Sequence, residues 1–292
     1  MGNIVHVISA QYTKRGMNQS DNVREEQETV SHKGWRNAGI IILTGLFILV
    51  ISVILYYIGY TTTLSIFTSF LVPLVAFFLG VVGLSAFGRD SLVKDDRFHA
   101  LNVWMALGLV VFSLSELGEV LLHVLGSQEI IFVIGLVQLP ALLLWGLGVL
   151  GYLRSSNSAF GVSGSGMWAR TILIAAVVGL ALVAVETLYF PRSLFYIAIS
   201  VPMLVGLSII LFALGKLLWI LRSGLIARPL MLMFLGVLLF FIRNLFWSFA
   251  TYAPGSPFDY VTAIEAYVLI GASLVAASRL EEVYDEIEDV EE

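Results

Sequence analysis

Cysteine is absent from the 292 residues, which excludes disulfides, thiolate nucleophiles and cysteine-ligated metal sites. Charge is scarce too: 13% of the residues are Asp, Glu, Lys or Arg, against about 25% in ordinary soluble domains. No basic patch exceeds a few residues, so a nucleic-acid footprint is excluded. The N-terminal stretch before Arg36 is polar and mixed in charge, unlike the apolar centre of a secretory signal. Met1-Gly2-Asn3 opens like a myristoylation site, yet His6 stands where Ser or Thr is wanted. The last long apolar run, Tyr260 to Ser278, contains no lysine, which rules out a retinal Schiff base there. Of the four histidines, His123 alone lies well inside an apolar run, so paired haem ligands are excluded as well.

What the chain does have is apolar length. Hydrophobic residues make up 59% of it and the mean hydropathy is +0.93. A soluble core of this size cannot cover so much apolar surface, whereas helices facing lipid need no cover. Runs long enough for the ~20 residues of a membrane helix fall at 38–60, 62–87, 99–125, 129–153, 168–190, 193–221, 229–252 and 258–278. The expected fold is an all-α membrane protein, a bundle of about eight transmembrane helices arranged as four hairpins, with seven spans as the alternative count. Three regions follow: a polar, flexible cytoplasmic arm over 1–36, the transmembrane domain over 37–279, and an acidic cytoplasmic tail over 280–292.

The connections alternate. Those at Thr61–Thr63, Gly126–Glu129, Pro191–Arg192 and Ala253–Pro257 are short and nearly free of basic residues, while those at Gly88–Phe98, Arg154–Arg170 and Arg222–Arg228 are longer and basic. Fourteen of the 16 Lys and Arg residues fall on the side of the arm and the longer loops. The exceptions are Arg192 and Arg243. The positive-inside rule then places both termini in the cytoplasm. The short turns recur at intervals of about 65 residues, and the second helix of the first three hairpins carries one proline each, Pro73, Pro140 and Pro202. That pattern points to a repeated hairpin, although prolines are common in membrane helices.

Two local patterns carry less than they spell. Gly146, Gly148 and Gly151 form G-x-G-x-x-G, but inside an apolar helix rather than after a strand, so they read as helix-packing positions. Gly161-Val162-Ser163-Gly164 resembles the serine motif of rhomboid proteases. The partner histidine such a site requires is missing, because every histidine precedes the serine. Ser155 to Gly166 reads instead as a Ser/Gly-rich linker.

The informative residues are the ionisable groups within the spans, since each is costly in hydrocarbon unless paired or hydrated. They are Glu116, Glu119 and His123 in the third span, Glu186 in the fifth, Arg243 in the seventh with Asn244 beside it, and Glu265 in the eighth. At about 1.5 Å of rise per residue, Glu116 and Arg243 lie roughly 14 Å below the outer turns, Glu119 and Glu265 roughly 10 Å, and His123 and Glu186 roughly 5 Å. Glu116, Glu119 and His123 stand at i, i+3 and i+7 and share one face. Arg243 needs a carboxylate at its own depth, and Glu116 is the candidate. Glu119 and Glu265, if adjacent, would have to share a proton or a cation. Aromatic residues near the turns, among them Tyr189, Phe190, Phe195, Tyr196, Trp247, Tyr252 and Tyr260, fit an interfacial belt.

These residues are expected to bind or move a small polar or ionic solute through a pocket in the outer half of the membrane, linked to a proton or cation. Glu116, Glu119, Glu186, Arg243, Asn244 and Glu265 would form the ligand- or proton-binding set. A second reading is a sensor that signals to a cytoplasmic protein partner through the last helix and its acidic tail, where Leu280, Val283 and Ile287 suggest an amphipathic helix. A third is a metal-dependent hydrolase with Glu116, Glu119 and His123 around a divalent cation. It is the weakest, because no established metalloenzyme spacing is present. No other cofactor is expected, and the bilayer itself is the remaining partner.

Overall fold

The computed structural model describes residues 34–87, 97–125, 130–159, 167–190, 194–222, 225–246 and 256–291. Among them are eight helices long and apolar enough to cross a bilayer. They are α1 (Gly34–Ile58), α2 (Thr61–Phe87), α3 (Arg97–Val124), α4 (Ile130–Ala159), α5 (Met167–Tyr189), α6 (Leu194–Ile220), α7 (Ala227–Phe246) and α8 (Pro257–Glu291). The chain is thus an all-α, multi-pass membrane protein. In hydrocarbon each backbone N–H and C=O has to be bonded within the protein, and a helix meets that requirement inside one segment.

Helix contacts run α2–α3–α4–α6–α7–α8 and return from α8 to α2, which closes a ring of six. α3 and α8 also touch across it. α5 packs on α6 outside the ring, and α1 lies along the outer face of α8, through Ala38 against the Ala272 and Ala276 cluster. Burial follows this plan. The membrane window of α8 is 72% buried and that of α1 is 17% buried, so α8 is an axis and α1 a strut facing lipid.

The centre of the ring is aromatic. Phe112 of α3 lies 4.6 Å from Trp145 of α4 and 4.7 Å from Phe240 of α7, centroid to centroid, and Tyr267 of α8 lies 5.8 Å from Phe240. Trp145 Nε1–H donates to the Met105 carbonyl at 3.1 Å, which fixes the indole and satisfies its one polar group. Four rings from four helices therefore fill the middle of the bundle. Aromatic pairs of this kind prefer tilted or edge contacts, as seen here.

The connections and helix ends show local causes. α1 stops at a Schellman motif: Gly59 takes φ +93°, Tyr60 N–H donates to the Leu55 carbonyl at 3.0 Å, and Gly59 N–H donates to that of Tyr56 at 3.1 Å. Pro73, Pro140 and Pro202 sit inside α2, α4 and α6. In the glycine motif, Gly148 is the packing position: a Cβ there would stand 2.8 Å from Trp104 and 3.2 Å from the Leu101 carbonyl, while Gly146 and Gly151 have open space.

One expectation needs correction. α4 does not stop at residue 153 but continues to Ala159, with Ser158 Oγ donating back to the Ser155 carbonyl at 2.8 Å. The start of the proposed linker is therefore helix, and 160–166 lies outside the described residues. α7 covers Ala227–Phe246, with Arg243 in the last turn of that range, and the rest of the expected span, 247–252, lies outside the described residues. The tail is helical, as its pattern suggests, and α8 runs unbroken through it to Glu291. The arm up to residue 33 lies outside the described residues, as do Trp247 and Tyr252.

Candidate functional site

α7 and α8 are antiparallel neighbours joined at the end of the bundle where all four short turns lie. This sets the C-terminus of α7 beside the N-terminus of α8. A helix C-terminus favours a cation and an N-terminus an anion, and the chain places Arg243 in the last turn of the first and Asp259 in the first turn of the second. Ser256-Pro257-Phe258-Asp259 is also a helix start: Ser256 Oγ accepts the Asp259 N–H at 3.3 Å, and proline takes the first helical position.

Arg243 is the hub. Its Nε donates to Asp259 Oδ1 at 2.6 Å and its Nη2 to Asp259 Oδ2 at 3.1 Å. Nη1 donates to Glu116 Oε1, and Nη2 reaches Glu116 Oε2 at 3.2 Å. One guanidinium thus holds two carboxylates from two helices, each through two oxygens, the geometry that suits a planar fork. Tyr267 O–H adds a bond to Glu116 Oε1 at 2.7 Å. The cation also rests 5.6 Å from the centre of the Phe240 ring, on the aromatic plug. Arg243, Glu116 and Asp259 are 1%, 1% and 0% exposed. The pairing that depth alone suggested between Arg243 and Glu116 is present.

Glu119 is the third carboxylate. It is 2% exposed, its Oε2 stands 3.8 Å from Arg243 Nη2, and that oxygen has no hydrogen-bond partner. Tyr260, 2% exposed, lies beside it. With every acid ionised, one positive group faces three negative ones, a surplus of two negative charges in a site closed to water. Protons or a bound cation have to offset part of that surplus, because like charges in a low-dielectric site cannot all remain ionised.

Gln138 of α4 adds a neutral polar group. It is 0% exposed and neither amide atom has a hydrogen-bond partner. It precedes Trp145 by seven residues, so it shares the face of α4 that carries the plug, two turns nearer the short-turn end. Its side chain leans toward the helix N-terminus, which on α4 is that same end.

The other ionisable residues do not join this cluster. Glu186 accepts the Tyr196 O–H at 2.9 Å within the α5–α6 hairpin, outside the ring. Glu265 turns to the opposite face of α8, toward Gly45 of α1, and shares no proton with Glu119. Asn244 donates its amide back to the Phe240 carbonyl at 2.8 Å, a bond within its own helix. Equal depth gave these residues the same height but not the same direction around the helix. Tyr196 and Tyr260 are buried partners of carboxylates rather than belt residues, whereas Tyr189, 77% exposed, fits the belt.

Among the described residues, no group of three or more His, Asp or Glu side chains is arranged to hold a metal ion. The backbone of His123 belongs to α3, and its side chain lies outside the described residues. Both oxygens of Glu116 already serve Arg243, so a metal at Glu116 would have to displace the guanidinium. Asp259, Tyr267 and Tyr260 are the cluster residues that sequence reasoning missed.

Neither a family model, nor a curated protein, nor a solved structure matches this chain. What the site does is read from its geometry.

Proposed function

We propose that this membrane protein binds and moves a small polar or cationic solute in exchange for a proton carried on Glu119. The observation that supports this reading is the composition of the cluster: Arg243 is fully engaged with Glu116 and Asp259, which leaves Glu119 a buried carboxylate with an oxygen still to be satisfied. Such a group changes its charge when a cationic ligand arrives or leaves, the use that intramembrane acids have in coupled carriers. Glu116, Arg243 and Asp259 act as the fixed frame, and the Gln138 amide offers the solute an NH2 group as donor and a carbonyl oxygen as acceptor. The aromatic plug below closes the path toward the other side, so transfer requires the rings to part, as alternating access demands. Both termini lie in the cytoplasm on the distribution of basic residues, which directs the site outward.

The test is transport by the full chain in proteoliposomes loaded with a pH-sensitive dye, challenged with a panel of small amines, amino acids and inorganic cations. A panel member should drive proton movement with the native chain, and Glu119→Gln should abolish it while the protein elutes and melts as before. Undiminished proton movement in a well-folded Glu119→Gln protein would sink the reading.

One observation favours a sensor as the second reading. Asp259, Tyr260 and Tyr267 all sit on α8, which continues as one helix of 35 residues to Glu291, about 50 Å of rod at 1.5 Å per residue. A change at the cluster has a direct mechanical line to the acidic end. Removal of the residues after Arg279 separates the two readings: a carrier keeps its proton movement, and a sensor keeps ligand binding but loses its cytoplasmic partner.

A further inference from the structure

α8 carries a second acid on a face that the cluster does not use. Glu265, Val268, Ala272 and Ala276 fall at i, i+3, i+7 and i+11 and form one stripe, and this stripe receives α1. Two residues separate Glu265 from Tyr267, or about 160° around the helix at 3.6 residues per turn. On α1 the position opposite is Gly45. A Cβ there would stand 3.0 Å from Glu265 Oε2 and 2.8 Å from Val268 Cγ1, so glycine is what lets the carboxylate lie against the α1 backbone. Glu265 Oε1 is buried and has no hydrogen-bond partner.

Among the described residues, no cation stands near enough to balance this group. The titratable residues of α1 are Arg36, Tyr56 and Tyr57, each nine or more residues from Gly45 and therefore about 13 Å or more along the helix. α2 contains none. On α7, Arg243 is held by Glu116 and Asp259, and Arg228 lies at the opposite end of the helix. On α3, Glu116 and Glu119 belong to the cluster, Arg97 and His99 lie at the far end, and His123 lies beyond Glu119. An ionised carboxylate between a lipid-facing helix and an apolar stripe is heavily penalised.

We propose that Glu265 and the Gly45 face of α1 form a second cation site, independent of the Arg243 cluster, whose ligand is a proton. A hard metal ion takes six or more oxygens, whereas Gly45, Val268, Ala272 and Ala276 offer no oxygen-bearing side chain. A proton needs only the carboxylate. The thin cover that α1 provides leaves this acid open to apolar reagents from the lipid side, unlike Glu119.

The experiment uses the full chain in detergent with dicyclohexylcarbodiimide, an apolar reagent that converts protonated carboxylic acids into stable N-acylureas. Peptide mass spectrometry should place an adduct on Glu265 at neutral pH. Its yield should fall several-fold as the pH is raised into the alkaline range and should not change with excess sodium chloride. Gly45→Leu should alter the labelling rate several-fold, while Gly39→Leu, at a position with open space, should leave it unchanged. Gly45→Ala supplies the comparison where leucine prevents folding. Glu119→Gln should not affect labelling, which keeps this inference separate from the transport reading. No adduct on Glu265 in folded protein, protection by sodium, or indifference to every Gly45 substitution overturns the proposal.

Discussion

The wall formed by α3, α7 and α8 and the peripheral hairpin of α5 and α6 each bury an acid near the same end of the bundle, and they settle it differently. Glu116, 1% exposed in the ring, receives a guanidinium and a tyrosine hydroxyl. Glu186, 8% exposed outside the ring, receives the hydroxyl of Tyr196. The difference lies in how many acids share the space. Three carboxylates meet inside the ring, and neutral donors alone cannot hold that much like charge away from water. The single acid of the peripheral hairpin accepts the Tyr196 hydroxyl near the interface. The crowding of three acids around one guanidinium marks the ring as the working region.

The strongest way to break this contrast is to remove the cation. Arg243→Met should leave Glu116 and Asp259 as unpaired buried charges and cost about 3–5 kcal/mol, read as loss of monodisperse protein and a large fall in thermal midpoint. Adding Glu116→Gln to Arg243→Met should recover part of the loss, since the two changes couple through one contact. Asp259→Asn comes next. Arg243 keeps Glu116 but loses a charged, bidentate partner, so about 1.5–3 kcal/mol is expected, in the same melting assay. Tyr267→Phe removes one hydrogen bond to Glu116 and should cost about 1 kcal/mol, with the aromatic plug intact.

Those positions also show what the sequence made legible. The eight spans were readable because some 20 apolar residues in a row leave few alternatives. The partner of Arg243 was readable because the rise per residue fixes height, and an arginine in hydrocarbon has to find an acid at its own level. Asp259 was not found, since it follows Pro257 in a segment that looked like an outer turn, where charge is cheap. The overlooked signal was Ser256-Pro257-x-Asp259, a helix start that carries the acid into the first turn of α8. Glu265 was misassigned for a different reason. Its height matches Glu119, but which way a side chain points depends on the neighbours of α8, and an apolar sequence on every side does not reveal which face meets α1 and which meets α3. Gln138 was passed over because a neutral amide raises no alarm until its burial and lack of a partner are known.

The smallest expected effect is the one that sharpens the comparison. Glu186→Gln keeps an oxygen for the Tyr196 hydroxyl, so that contact, worth about 0.6 kcal/mol as an interhelical hydrogen bond in a membrane protein, should survive. Solute-driven proton movement should be unaffected, because Glu186 lies in the hairpin outside the ring. Tyr196→Phe should lose that bond and likewise leave solute-driven proton movement unchanged. The pair should be close to additive with Glu119→Gln, as contacts outside a shared network are. A fall in transport as large as that of Glu119→Gln would mean that the α5–α6 hairpin belongs to the solute path, and the distinction between a charged ring and a passive hairpin would fail.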